Sequence, residues 1–200
     1  MHGRHVRLEP LTLDHVPALV AAANESRATY LYSVVPDGDA AMRAYVAVAV
    51  AARAAGEHLP FATVRAADGR VIGTTRFSAM APWEWPPGSP LQRHGRPDAP
   101  EIGHTWLAAS AQRTGANTEA KSLMLRQAFE AWDVHLVRLR TDRRNLRSRA
   151  AIERLGARFE GVRRADRPGV DGTVRDSAFY SITRDEWPAV RDRLARLLRD

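Results

Sequence analysis

The sequence predicts one mixed α/β domain: a sheet of about seven strands with helices on its faces. Three observations carry this. The chain has 200 residues, a usual length for one domain. Segments of period-2 apolar alternation alternate with segments of helical spacing, in the order β-α-α-β-β-β-α-β-α-β-β-α. There is no cysteine. That absence excludes a disulfide framework, a thiolate zinc or iron–sulfur site and a cysteine nucleophile.

The elements follow in chain order. Val6 and Leu8 alternate with charges over residues 4–9, a first strand. Thr12 caps a helix over about 13–23, with Asp14 near its positive end. A second, alanine-rich helix over 40–55 stops at Gly56. Strands over 59–66 and 71–79 form a hairpin, because Asp68-Gly69 tolerates the positive φ of a tight turn. Residues 80–100 hold six prolines, Trp83, Trp85 and His94. Proline at that density forbids a regular element. A connection of about 20 residues within a domain is often functional, so this one is expected to form a lid or substrate wall.

Residues 101–107 read as a fourth strand, 118–132 as a helix and 135–141 as a fifth strand. Asn145 caps a helix that ends at Leu155, with Gly156 as its left-handed stop. Strands over 159–163 and 174–182 flank a turn at 168–172. Thr183 and Glu186 have capping-box spacing ahead of a last helix, whose regular part starts near Trp187.

Composition narrows the function classes. Net charge is +7, and Lys121 is the one lysine among 30 basic residues. The excess suits an anionic partner or reflects a bias toward arginine. Residues 138–149 are densest, with six arginines, but neither a basic tail nor aromatic-interleaved strands point to nucleic acid. No window is apolar enough for a membrane helix, and no signal peptide precedes the first strand, so a cytoplasmic protein is expected. No set of side chains has metal-ligand spacing; His94 lacks a second ligand.

The informative stretch is 101–121. A strand enters a short polar loop that opens a long helix, and Gly115 sits where backbone must approach something closely. Free amides of a first helical turn point outward at the positive dipole end, a ready anion site with Arg113 at its rim. The spacing of a phosphate-binding Walker loop is absent.

Gln112-Arg113-Thr114-Gly115-Ala116-Asn117 resembles the acyl-CoA loop of the GCN5-related N-acetyltransferases (GNAT), a Q/R-x-x-G-x-G/A pattern. Residues 101–107 resemble the preceding strand of that family's RimJ/RimL-type branch. Residues 141–161 resemble its next strand–helix–strand segment, and the hairpin 64–75 and residues 176–187 also fit. The resemblance covers nearly the whole chain. It implies a mostly antiparallel sheet with splayed fourth and fifth strands, residues 1–200 forming one such domain with an insertion at about 80–100.

By the same resemblance, acetyl-CoA lies in the splayed gap. Its arm pairs with Thr105, Trp106 and Leu107; its pyrophosphate meets Gln112, Arg113, Thr114, Gly115, Ala116, Asn117 and Thr118; Asn145 and Ser148 contact it. The implied reaction is direct transfer of acetyl to a primary amine of a small molecule or a protein N-terminus. Other acyl-CoA donors such as succinyl-CoA, a non-catalytic CoA-binding role and a homodimer stay open. The chain departs from the family at Asn117 (usually Gly or Ala), Ile152 (often a tyrosine acid) and Arg140 (sometimes a glutamate base). Glu101 is then the first candidate base and His104 the second. Three residues apart on a strand, these two face opposite ways unless a bulge intervenes. Ser148 is the candidate acid. Trp83, Trp85, His94 and Glu160 are candidates for the acceptor pocket, and Lys121 is expected on the surface.

Overall fold

The computed structural model describes residues 1–92 and 95–199. Its strands are β1 (Val6–Pro10), β2 (Leu59–Arg65), β3 (Val71–Ser78), β4 (Glu101–Leu107), β5 (Leu136–Asp142), β6 (Arg158–Pro168) and β7 (Val174–Thr183). They form one seven-stranded sheet in the order β1-β2-β3-β4-β5-β7-β6. Every pairing is antiparallel except β4 with β5, so the sheet is mixed as expected. The helices are α1 (Val16–Asn24), α2 (Gly38–Ala54), α3 (Gly115–Arg126), α4 (Leu146–Leu155) and α5 (Trp187–Leu197).

The two faces can be read along β3, because successive strand residues point to opposite sides. Thr74 meets Tyr45 of α2, whereas Thr75 meets Lys121 of α3. Helices α1 and α2 therefore cover one face, and α3 covers the other with α5 packed on it. A core including Val6, Leu8, Leu19, Met42, Phe77, Met124, Tyr180 and Leu194 fills the space between.

Local rules explain most boundaries. Thr12 donates its amide to His15 Nδ1 at 3.1 Å, but the first turn is a 3-10 turn over Leu13–His15. Helix α1 becomes regular only at Val16, where Pro17 suits the first turn. Asn145 caps α4 by accepting from the Ser148 amide at 3.0 Å, and Gly156 ends it at φ 106°. Thr183 donates its amide to Glu186 Oε2 at 2.8 Å, and α5 begins at Trp187.

Two boundaries differ from expectation. Helix α3 starts at Gly115, three residues early, because Thr114 caps it by accepting from the Ala116 amide at 3.2 Å. Asn117 thus takes helical backbone, and the left-handed residue of the loop is Arg113 at φ 61°. Strand β6 runs on to Pro168. As an edge strand it carries register breaks that its charged sequence does not advertise.

Candidate functional site

The site begins with a gap in the sheet. The β4–β5 ladder holds one register pair among the described residues, Glu101 with Arg138, beside an Arg138 amide bond to Pro100 O at 2.9 Å. Beyond it the strands diverge, and the β5-facing backbone groups of β4 are left unpaired with β5. An open strand edge is a template for another extended, amide-bearing chain.

Strand β4 also carries a bulge. Thr74 opposes Trp106 and Arg76 opposes Gly103, so Thr75 stands across from both His104 and Thr105. His104 absorbs the extra residue at φ 49°. The parity change turns His104 to the α2 face, where its ring lies 5.9 Å from that of His58. Glu101 shares that face: it lies against Gly103 and bonds Arg140 Nε at 2.9 Å. The bulge thus brings the two candidate bases to one side.

Their electrostatics differ. Burial raises the Glu101 pKa, while Arg140 and the more distant Arg167 and Arg138 oppose the rise. His104 is lowered to about 3, first by enclosure in the cleft and then by Arg76, His58, Arg140 and Arg167. His104 is exposed, and water screens these charges, yet both causes act in one direction and keep the imidazole neutral. Glu101 moves toward the operating range of a base, and His104 moves away from it.

The mouth of the gap lies at the starts of α3 and α4. Exposed Arg113 flanks the first turn of α3. The amides of Gly115 and Asn117 precede the helix's own ladder, whereas the Thr118 amide falls where that ladder begins. Gly115 does approach something closely: a side chain there would meet the His5 ring at 3.1 Å. Gln112 is already engaged. Its Nε2 donates to Thr29 Oγ1 and Leu107 O, and its Oε1 accepts from Arg147 at 2.6 Å. Leu107 O also accepts from the Tyr30 hydroxyl at 3.0 Å, so it is not a free partner. Asn145 spends Oδ1 on its cap. Ser148 stands half-buried one turn later.

Around Tyr30, the α1–α2 connection and Val170 line an open cavity of about 460 Å³. Arg144 ties the β5–α4 turn to the β6–β7 turn through Asp142 and Asp171, at 2.8 and 2.7 Å.

Trp83 and Trp85 donate to Asp98 Oδ2 at 2.8 and 3.1 Å and pack on His135. Asp98 is fully buried, so the two tryptophans anchor the insertion to the start of β5. Their contacts do not reach Glu101, His104 or Asn145. His94 lies outside the described residues. Glu160 is exposed on β6.

Lys121 corrects an expectation. It is buried, and its Nζ donates to Thr75 Oγ1 and Thr105 Oγ1 at 2.9 and 2.6 Å. The apolar surface of α3 and of the π-helical turn that continues it (Gln127–Ala131) includes Leu125, Ala128 and Phe129 as well as Ala120 and Met124, and Lys121 lies within that wide stripe. Burial lowers its pKa to about 7. Sequence reading also passed over Arg76, which is buried because β3 is covered on both faces.

Comparison with known proteins places this geometry. The family described as "Acetyltransferase (GNAT) domain" matches residues 5–158. A curated protein of Bacillus subtilis (strain 168), named "Putative ribosomal N-acetyltransferase YdaF", is 34% identical over 87 residues. That match spans 44% of this chain and about half, 46%, of the relative. A GCN5-related N-acetyltransferase from Brucella melitensis superposes with TM-score 0.82 at 29% identity, over 98% of this chain and 83% of that one. Mycobacterium smegmatis RimJ shares the fold at TM-score 0.76 and 23% identity, over 96% of this chain and 88% of that one. A family match over most of the chain, on a sheet opened between β4 and β5, means that the chain belongs to the GNAT acetyltransferase family.

Proposed function

We propose that this chain transfers an acyl group, acetyl first among them, from acyl-CoA to a primary amine within a ternary complex. The observation that carries this reading is the open β4 edge beside the His104 bulge. Coenzyme A has a two-amide arm of the kind an unpaired strand edge accepts. Backbone groups of Thr105 and Trp106 take that arm. The Gly115 and Asn117 amides, with Arg113, meet its pyrophosphate. Asn145 Nδ2 and the Ser148 hydroxyl face it from α4.

The amine nitrogen attacks the thioester carbon, the carbon–sulfur bond breaks, and the thiolate leaves. The amine must first be neutral; a lysine-like amine of pKa about 10.4 is mostly charged at pH 7, an α-amine near 8 less so. Glu101, with its raised pKa, takes the proton directly or through water. Ser148 gives its hydroxyl proton to the departing sulfur and regains one from solvent, to which Glu101 releases the proton taken from the amine. Holding both reactants in line supplies a further share of the rate. The name of the Bacillus relative supports keeping a protein among the candidate acceptors beside small amines. The test is release of free CoA thiol from acetyl-CoA with an amine panel. Amine-dependent release supports the reading, and failure to bind acetyl-CoA overturns it.

A further inference from the structure

Arg76 is the buried charge that the acyl-transfer chemistry leaves without a task. It sits on β3 with 4% of its surface exposed. Its guanidinium meets His58 Nδ1 at 3.3 Å and lies 5.1 Å from the centre of the Tyr45 ring. Among the described residues, no carboxylate pairs with it. Glu101 bonds Arg140 at 2.9 Å, Asp166 receives Arg140, Arg163 and Arg167, and exposed Glu57 acts on His58 without pairing with Arg76. The two imidazoles beside it cannot supply a counter-charge. Burial, then Arg76, lowers the pKa of both His58 and His104.

A guanidinium stays charged at every pH a protein tolerates, so it cannot escape burial by losing its proton. A buried cation lacking a partner is costly, and the usual remedy is an anion. Arg76 opposes Gly103 across the ladder, the residue against which the Glu101 carboxylate lies, and exposed His104 follows it on the same face, so the guanidinium sits beneath the solvent-facing side of the cleft. This is the same face that carries Glu101.

We propose that Arg76 recognises a carboxylate on the substrate. The reading rests on the acyl-transfer function above and adds a substrate class to it. The carboxylate belongs either to the amine acceptor, as in a free amino acid, or to a dicarboxylic acyl chain, as in succinyl-CoA. A planar fork binds a carboxylate through two parallel hydrogen bonds, which a neutral isostere cannot match.

Two arms separate the sources. In the first, calorimetry compares succinyl-CoA with butyryl-CoA, which has the same chain length without the acid. In the second, the protein saturated with acetyl-CoA is titrated with amino acids and with their C-terminal amides. One arm is expected to favour the carboxylate at least tenfold. Arg76→Gln is expected to erase that preference while acetyl-CoA affinity is kept, and Arg76→Lys to restore part of it. A melting curve checks that each variant folds. If Arg76→Gln fails to fold, the wild-type preference and its reduction in Arg76→Lys decide. Equal binding of acid and uncharged partner in both arms, with acetyl-CoA bound, overturns this proposal alone. So does a preference that survives the substitution. Absence of acetyl-CoA binding overturns the acyl-transfer reading and this one with it.

Discussion

Two cations are buried on opposite faces of the β3–β4 ladder, and they meet burial in different ways. On the α3 face, Lys121 donates to the Thr75 and Thr105 hydroxyls, which also lie 2.8 Å from each other. Burial drives its pKa to about 7, so near neutrality it can shed its charge and remain a neutral strut in a closed hydroxyl triad. On the α2 face, Arg76 has an imidazole and an aromatic ring for company and no route to neutrality. A lysine can serve as an interior fastening because it discharges. An arginine in the same predicament stays a charge awaiting an anion. The bulge separates the two roles by turning His104 toward Arg76 and Thr105 toward Lys121.

The largest effect belongs to the Arg76 face. Glu101→Gln should lower kcat by roughly 10²–10⁴-fold, the usual contribution of a positioned base. Because the base form is the active one and burial raises its pKa, the acid limb of kcat/KM should sit above the ordinary carboxylate range and vanish in the variant. A loss under threefold would move the chemistry away from this face.

Next comes the Lys121 face, read through stability. The unfolded lysine holds its proton to about pH 10.4. The folded one begins to lose it near pH 7, so the unfolded state binds more protons above pH 7. Stability should therefore rise with pH, by roughly 2–3 kcal/mol between pH 7 and 9 from this one group. Urea unfolding of wild type and Lys121→Met should diverge in slope by that amount. Parallel pH curves would mean that Lys121 keeps its charge and that the contrast with Arg76 is void.

A smaller effect probes the mouth, where the residues serving both faces meet. Asn145→Ala should weaken acetyl-CoA about tenfold through loss of one ligand hydrogen bond. It should also cost about 1 kcal/mol of stability through the lost cap. Calorimetry and thermal melting separate the two, since capping alone leaves affinity intact. The smallest effect is expected at His104→Ala, a few-fold in kcat, because an imidazole already held neutral and weakly basic has little proton work to give up. A hundredfold fall would reverse the order of His104 and Glu101.

Much of this architecture was legible residue by residue. The β4 boundaries, the Asn145 cap and the Gly156 stop each follow from local chemistry that tertiary contacts do not override. The α3 start was displaced because Gly115 and Asn117 are weak helix formers, and the capping bond of Thr114 outweighs them. Burial was harder to read. Lys121 looks like an ordinary surface lysine until the whole apolar width of α3 is counted. Arg76 lies in a strand covered on both sides, where any residue becomes interior. The tryptophans of the insertion suggested a substrate wall, and the partner that anchors them, Asp98, sits at the end of the same insertion where no periodicity marks it. The one local mark of the bulge is Gly103 beside His104, and a glycine in a strand signals a bulge or a close approach without saying which, so the meeting of Glu101 and His104 on one face could be stated only as a condition.

The most direct test of the open-edge account is amide hydrogen exchange with and without acetyl-CoA. Binding should slow exchange at β4 residues facing the gap and at Gly115 and Asn117, with little change along the paired β2–β3 hairpin. Binding that leaves those amides unprotected would contradict the account, because the cofactor would then lie somewhere other than the gap between β4 and β5.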